Sequence, residues 1–209
     1  MALPQNLGKA EAVRAAVMRV ASEHWDYIGF WDADLATPLS EIASFIPLLE
    51  KKRYWCVMGA RIRRLGAEIE RKWYRHVLGR VFATVASLLL RLPVYDTQCG
   101  AKFYSANVVQ TLFERPFVSR WFFDFELLFR VKKIRADQKL EQLIYELPLS
   151  SWCDANGGAL KLKDFLLAPR DMWKIYRYYN SKASSGFRGA HRGGIESAEK
   201  NKLPETSLD

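Results

Sequence analysis

Two carboxylates one residue apart, Asp32 and Asp34, follow the short apolar run Tyr27-Ile28-Gly29-Phe30-Trp31. Carboxylates so placed can turn toward one hard cation such as Mg²⁺ or Mn²⁺, an ion that takes one or two carboxylates and completes its shell with water and substrate phosphates. An Asp-rich turn with solvated side chains is the alternative. A second pair, Asp124 and Glu126, flanks Phe125 at the start of a helical pattern. Two residues on a helix turn by about 200°, so these two cannot share a face. One is expected to point into a site and the other to serve the helix N-terminus. Asp96-Thr97-Gln98-Cys99-Gly100 gathers polar groups in a turn where Gly100 permits close backbone approach. Lys9 and Arg14 lie near the start of a helix whose N-terminus attracts anions, and Lys9 is placed to reach a diphosphate.

These groups need elements to hold them. Asn6 reads as an N-cap, with Ala10, Val13, Val17, Val20 and Ala21 at helical spacing behind it. Tyr27 to Trp31 reads as a buried strand ending at the Asp pair, and Thr37-Pro38 opens a helix to about Lys51. Strands are expected at Tyr54–Gly59, Ala101–Tyr104 and Leu140–Leu149. Helices are expected at about Ile69–Arg91, Asn107–Phe113, from the aromatic run Trp121–Phe125 to Arg135, and at Leu162–Tyr179. Alternating strands and helices predict an α/β sheet with helices on its faces, in one domain over residues 1–180. Ligands in such sheets bind at the carboxyl edge of the strands, which is where Asp32 and Asp34 fall. From Ser181 to Asp209 the chain turns to Ser, Gly and charged residues, and a disordered polar tail is expected.

Composition narrows the classes. The 209 residues carry 32 Lys+Arg against 23 Asp+Glu, a net charge of +9, with 49% apolar residues. That is a globular composition with an anionic partner. No run reaches the roughly 18–20 apolar residues of a spanning helix, and the first residues lack a signal-peptide profile. Cys56, Cys99 and Cys153 are odd in number and far apart, which argues for a reducing compartment and against a zinc site. Cys99 reads as a small buried residue rather than a nucleophile. Residues 61–80 hold Arg61, Arg63, Arg64, Arg71, Lys72, Arg75 and Arg80 against Glu68 and Glu70, so more than half the net charge sits in a tenth of the chain. Interleaved base-stacking aromatics are absent, so no nucleic-acid partner is expected. The helix continues apolar from Val81 to Leu90, which suits an element at a membrane surface and equally the core face of an ordinary helix.

Two enzyme classes place an Asp-x-Asp after a strand. Phosphatases of the haloacid-dehalogenase type use DxDxT with a nucleophilic first Asp, but here Ala36 stands at the threonine position. Glycosyltransferases of the GT-A fold use DxD to hold the metal that bridges a nucleotide-sugar diphosphate.

NLGKAEAVR (Asn6–Arg14), DADLATP (Asp32–Pro38), GARIRRLG (Gly59–Gly66), IERKWYRHVLGR (Ile69–Arg80), DTQCGAKFY (Asp96–Tyr104) and RWFFDFELL (Arg120–Leu128) stand in this order. Together they resemble family 2 glycosyltransferases, specifically the polyprenyl-phosphate sugar synthases such as dolichyl-phosphate glucosyltransferases. The resemblance implies a GT-A (Rossmann-like) fold and a metal-dependent inverting transfer. A hexose, glucose from UDP-glucose or mannose from GDP-mannose, would pass to a polyprenyl or dolichyl phosphate. It implies Mg²⁺ or Mn²⁺ at Asp32 and Asp34, donor contacts from Lys9, Arg14, Asp32, Asp96, Gln98 and Gly100, and a catalytic carboxylate at Asp124 or Glu126. It places the acceptor phosphate on Arg61, Arg71 and Arg75, at the cytosolic face of a membrane. The Trp152–Lys161 segment resembles a flexible loop that closes on the diphosphate, with Lys161 one place late.

The pattern departs at its front. Such enzymes begin with strands that bind the nucleotide base, and this chain starts at the helix after them. The expectation is an N-terminally truncated domain, a fragment or alternative-start product, or one completed by another polypeptide. Ala36, where relatives using guanosine donors carry Gln, favours a uridine donor. A truncated inactive module binding lipid phosphate, and a metal-dependent phosphatase, are the competing readings.

Overall fold

The structure is a computed structural model that describes residues 5–51, 54–70, 73–153 and 162–181. Its main sheet has four strands, β1 (Tyr27–Phe30), β2 (Cys56–Ala60), β4 (Lys102–Ser105) and β5 (Ile144–Pro148), in the order β1-β4-β2-β5. β4 runs antiparallel to β1 and β2, whereas β2 and β5 are parallel. The carboxyl ends of β1, β2 and β5 therefore lie at the same edge as the amino end of β4. Four segments meet there: the Asp32–Asp34 loop, the chain after Ala60, the turn before Lys102 and the chain after Pro148.

Strand periodicity divides two cores. Cys56, Met58 and Tyr104 face one cluster, Val57 and Phe103 the other, as alternation across a pleat requires. The larger cluster packs the sheet against α1 (Lys9–Val20), α4 (Ala106–Phe113), α5 (Phe123–Ile134) and α7 (Leu162–Asn180), with Phe113, Phe123 and Phe125 fully buried. The smaller one lies under α2 (Ile42–Glu50) and contains Phe45, Ile69, Leu149 and Trp152.

Several boundaries differ from the sequence reading. Asn6 does not cap α1. Gly8 takes the N-cap at φ 92°, a left-handed conformation suited to glycine, and its N–H donates to Asn6 Oδ1 at 3.0 Å. The expected buried strand at 27–31 is an edge strand of the described sheet, and only Ile28 is buried. The helix expected from Ile69 starts at Trp73 as α3 (Trp73–Leu90), because Glu68–Glu70 forms β3 instead. β3 pairs in parallel with β6 (Ser151–Cys153), setting Ile69 opposite Trp152 in the smaller core. The run expected as a strand from Leu140 opens with the short helix α6 (Leu140–Leu143) before β5 begins. Thr37 does not cap a helix either. Pro38 stands at the cap of a 3-10 turn, Leu39–Glu41, while the Thr37 carbonyl accepts the Trp31 indole N–H at 2.7 Å. The expected tail, apart from Ser181, lies outside the described residues, as do residues 154–161 of the expected closing loop.

Candidate active site

The Asp32–Asp34 loop is fixed from several sides. Leu35 sits in the left-handed region (φ 53°) and its N–H closes a turn on the Asp32 carbonyl at 3.0 Å. Left-handed backbone in a branched residue is costly and marks a loop whose shape its surroundings determine. Asp34 Oδ1 accepts the Ala36 N–H at 3.1 Å, and the Ala36 carbonyl accepts the Cys153 N–H of β6 at 2.9 Å. So anchored, the loop drives the Asp32 carboxylate against the backbone of Gly100, where a β-carbon would stand 1.9 Å from Oδ2. Gly100 is needed here for space. Its partner oxygen, Oδ1, accepts Lys9 Nζ from the first residue of α1 at 2.6 Å.

Beside this pair lies a second one. Arg61, next after β2, donates from Nε and NH2 to the two oxygens of Asp96 at 2.6 and 2.8 Å. Burial pulls the Arg61 guanidinium down and Asp96 more than offsets it, holding it above its ordinary range. The turn carrying Asp96 is held in turn by Glu146 of β5, whose carboxylate accepts the N–H groups of Tyr95 and Asp96 at 2.8–2.9 Å. Gln98 is half-buried next to it, its N–H on Asp96 Oδ1 at 3.1 Å.

The third pair is buried. Lys102, at the start of β4, reaches Asp124 in the first turn of α5 at 2.7 Å and donates also to the Cys99 carbonyl. Their side chains are 0% and 3% exposed. Burial pulls Lys102 down, but Asp124 outweighs it and keeps the ammonium above its usual range. Burial pushes the Asp124 carboxyl up against the pull of Lys102 and Lys9, and the charge of Asp32 adds to that push. Asp32 also acts on Arg61, so the three pairs form one electrostatic cluster at the sheet edge. Burial raises the Cys99 thiol, which leaves it neutral and unsuited to attack.

Not all the expected residues join this cluster. Arg14, five residues beyond Lys9, is turned away from the edge. It pairs with Glu11 at 2.6 Å and donates to the carbonyls of Phe113 and Glu114, tying α1 to the end of α4. Glu126 is fully buried on the other side of α5. It accepts from Arg130 at 2.9 Å, from Tyr179 at 2.8 Å and from the Val118 N–H at 2.8 Å. The 200° turn between Asp124 and Glu126 is thus realised, with one carboxylate at the site and one joining α5 to α7. Arg61, expected on an acceptor phosphate, has its fork committed to Asp96. Arg71 and the side chain of Arg75 lie outside the described residues. Sequence reasoning missed Lys102 and Glu146. Lys102 stood inside the quoted DTQCGAKFY segment, and its place at the start of a strand was the available signal.

A divalent cation fits the edge chemically. Asp32 and Asp34 supply hard oxygens, and the missing β-carbon at Gly100 leaves Asp32 its place. Among the described residues no three His, Cys, Asp or Glu side chains gather as a metal cage. Two carboxylates, as at Asp32 and Asp34, are what a hard cation takes when it shares its shell with water and substrate phosphates.

The family model described as glycosyl transferase family 2 matches residues 1–113. A dolichyl-phosphate beta-glucosyltransferase of Trichomonas vaginalis is 29% identical over 187 residues, covering 85% of this chain and 51% of that protein. The dolichyl-phosphate beta-glucosyltransferase of Saccharomyces cerevisiae is 27% identical over 170 residues, covering 76% and 48%. The chain spans about half the length of the curated relatives it matches. Among solved structures, glucosyl-3-phosphoglycerate synthase from Mycobacterium tuberculosis, in complex with Mn²⁺, UDP-glucose and phosphoglyceric acid, superimposes with a TM-score of 0.58. Identity is 20%, and the match covers 85% of this chain and 56% of that one. The fold is the GT-A α/β fold.

Proposed function

The chain belongs to glycosyl transferase family 2, and from that premise we propose that it serves a metal-dependent inverting transfer of a hexosyl group from a nucleotide sugar to a polyprenyl or dolichyl phosphate. The observation that carries this reading is the Asp32 carboxylate seated on Gly100 and paired with Lys9, beside Asp96 and Asp124. Glucose from UDP-glucose is the preferred donor, in keeping with the relatives' names and with the Mn²⁺ and UDP-glucose of the solved neighbour. Mannose from GDP-mannose is the alternative. A phosphatase reading loses its support with the family assignment.

Asp32 and Asp34 would hold Mg²⁺ or Mn²⁺, which when bound supplies Lewis-acid neutralisation of the leaving diphosphate. Lys9, already on Asp32, would contact the same phosphates. Asp96 and Gln98 orient the sugar, and Arg61 keeps Asp96 in place. A lipid monophosphate is anionic at neutral pH and needs little deprotonation, so Asp124 acts mainly by orienting the reactants. Arg71 and Arg75 take the acceptor phosphate, a task suited to guanidinium forks.

The membrane surface enters through α3. Trp73, Val77, Val81 and Leu88 are exposed at helical spacing along it, and Trp73 is 75% exposed. No described helix is long and apolar enough to cross a membrane. A peripheral position at the cytosolic face is the arrangement proposed. The chain's half-length match also keeps a second reading, a partial module that binds lipid phosphate without turnover or is completed by another polypeptide. Incubation with UDP-glucose or GDP-mannose, dolichyl phosphate and Mn²⁺, followed by organic extraction of labelled lipid, decides between them. Labelled lipid supports transfer; none with either donor leaves only the binding module.

A further inference from the structure

The sheet edge opposite the candidate site carries a basic groove that the transfer reading leaves unused. It has a volume of about 380 Å³ and lies between the ends of α3, α5 and α7 and the start of α6. Its lining includes Arg91, Lys132, Lys133, Arg135 and Lys139, with Glu141 as the one acidic member. Asp137 stands 3.6 Å from Arg135, so among the described residues here five basic side chains stand against two acidic ones. Lys132 follows Asp124 by eight residues of α5, roughly 12 Å along the helix axis. The two sites therefore sit at opposite ends of one helix.

Helix ends explain part of this charge. Lys132 Nζ donates to the Leu90 carbonyl at the end of α3, a normal use of a cation at a helix C-terminus. They do not explain all of it. Arg91, with φ 54°, is exposed at the rim, and Lys139 is exposed at the other side. The crowding has a measurable consequence, since burial and then the neighbouring charges of Arg91 and Lys133 lower the Lys132 ammonium. Like charges held this close, partly out of water, are relieved by a bound anion.

We infer that this groove binds a phosphate-bearing anion, apart from and independent of the proposed transfer site. Arginine forks and lysine ammonium groups at one place match the several oxygens of a phosphoryl group. The phosphate can belong to a lipid headgroup, because the exposed Leu88 lies in the last turn of α3 just before Arg91, or to a soluble phosphoryl compound.

The test uses the full chain in EDTA, so that no metal-bridged binding at Asp32 contributes. One probe is inorganic pyrophosphate, and the other is phosphatidylcholine vesicles carrying phosphatidic acid. Arg91→Glu with Lys139→Glu is compared with Arg19→Glu plus Arg170→Glu, the same charge change elsewhere, after circular dichroism confirms that both variants fold. Each basic residue at an anionic surface is worth about fivefold in affinity, so loss of the two cations alone weakens the groove variant roughly 30-fold, the two added carboxylates weaken it further, and the control is expected to stay near the parent. Loss on pyrophosphate assigns a soluble phosphate, and loss on vesicles alone assigns a headgroup. Equal weakening in both variants, or no binding of either probe by the parent, overturns the inference.

Discussion

The Asp32 carboxylate occupies the space that a side chain at residue 100 would need, with Oδ2 1.9 Å from the position of a Gly100 β-carbon. Gly100→Ala therefore has a local effect. The short Asp32 side chain swings away while the sheet stays intact. A misplacement of about 1 Å in a reacting site costs on the order of 100-fold in rate. The expected outcome is a loss of the proposed hexosyl transfer of that size with a melting temperature within a few degrees of the parent (roughly 1 kcal/mol or less). A variant with full activity would separate Asp32 from the chemistry.

Asp124 and Glu126 lie on different faces of α5 and hold different partners, Lys102 for one and Arg130 with Tyr179 for the other. Asp124→Asn is expected to depress turnover per folded molecule and also to lower stability, since the amide still accepts from Lys102 but leaves its buried ammonium without a counter-charge. Glu126→Gln weakens a buried network of Arg130, Tyr179 and the Val118 amide. Removing one charge of a buried pair costs about 3–5 kcal/mol. Thermal melts and turnover per folded molecule, measured on both variants, check this. The reverse pattern would exchange the two roles.

How far the chain discloses itself follows from the range of each interaction. The Asp32–Asp34 loop, α2, α4 and the charge of Lys9 are written in short segments, and the ordered motifs carried the family. Interactions between distant segments were not visible. Glu68-Ile69-Glu70 is too short to distinguish strand from helix, and becomes β3 only because Trp152, more than eighty residues on, lies opposite Ile69. Nothing local to Arg61 says that Asp96, thirty-five residues on, takes both arms of its fork. The partners of Arg14 and Glu126, the carbonyls ending α4 and Tyr179, likewise come from other parts of the chain.

Lys102 and Asp124 join β4 to α5 across a buried contact, and their coupling is measurable. Lys102→Met leaves Asp124 buried without its counter-charge and is expected to cost about 3–5 kcal/mol. Adding Asp124→Leu removes the orphaned charge, so the double variant is expected to recover part of that loss. Urea denaturation of the four proteins gives the interaction energy. Strict additivity would show that the 2.7 Å contact contributes nothing specific.

The cysteines differ in exposure. Burial pushes the Cys56 thiol up to about 12, so it is neutral at pH 8, and Cys99 is buried as well. Cys153 is exposed. Iodoacetamide at pH 8 is expected to label Cys153 in the native chain, with Cys56 and Cys99 following only in denaturant. Peptide mass mapping reads this directly, and early labelling of Cys56 would mean that the central strand β2 opens far more often than its burial allows.

Mn²⁺-dependent binding of UDP-glucose, measured by calorimetry on the parent chain and on Asp32→Asn, bears most directly on the sheet-edge site. If the Asp32 carboxylate holds the cation that bridges the donor diphosphate, the parent binds in Mn²⁺, loses the donor in EDTA, and Asp32→Asn fails to bind in either. Equal affinity of both proteins for UDP-glucose, or affinity indifferent to Mn²⁺, would contradict it.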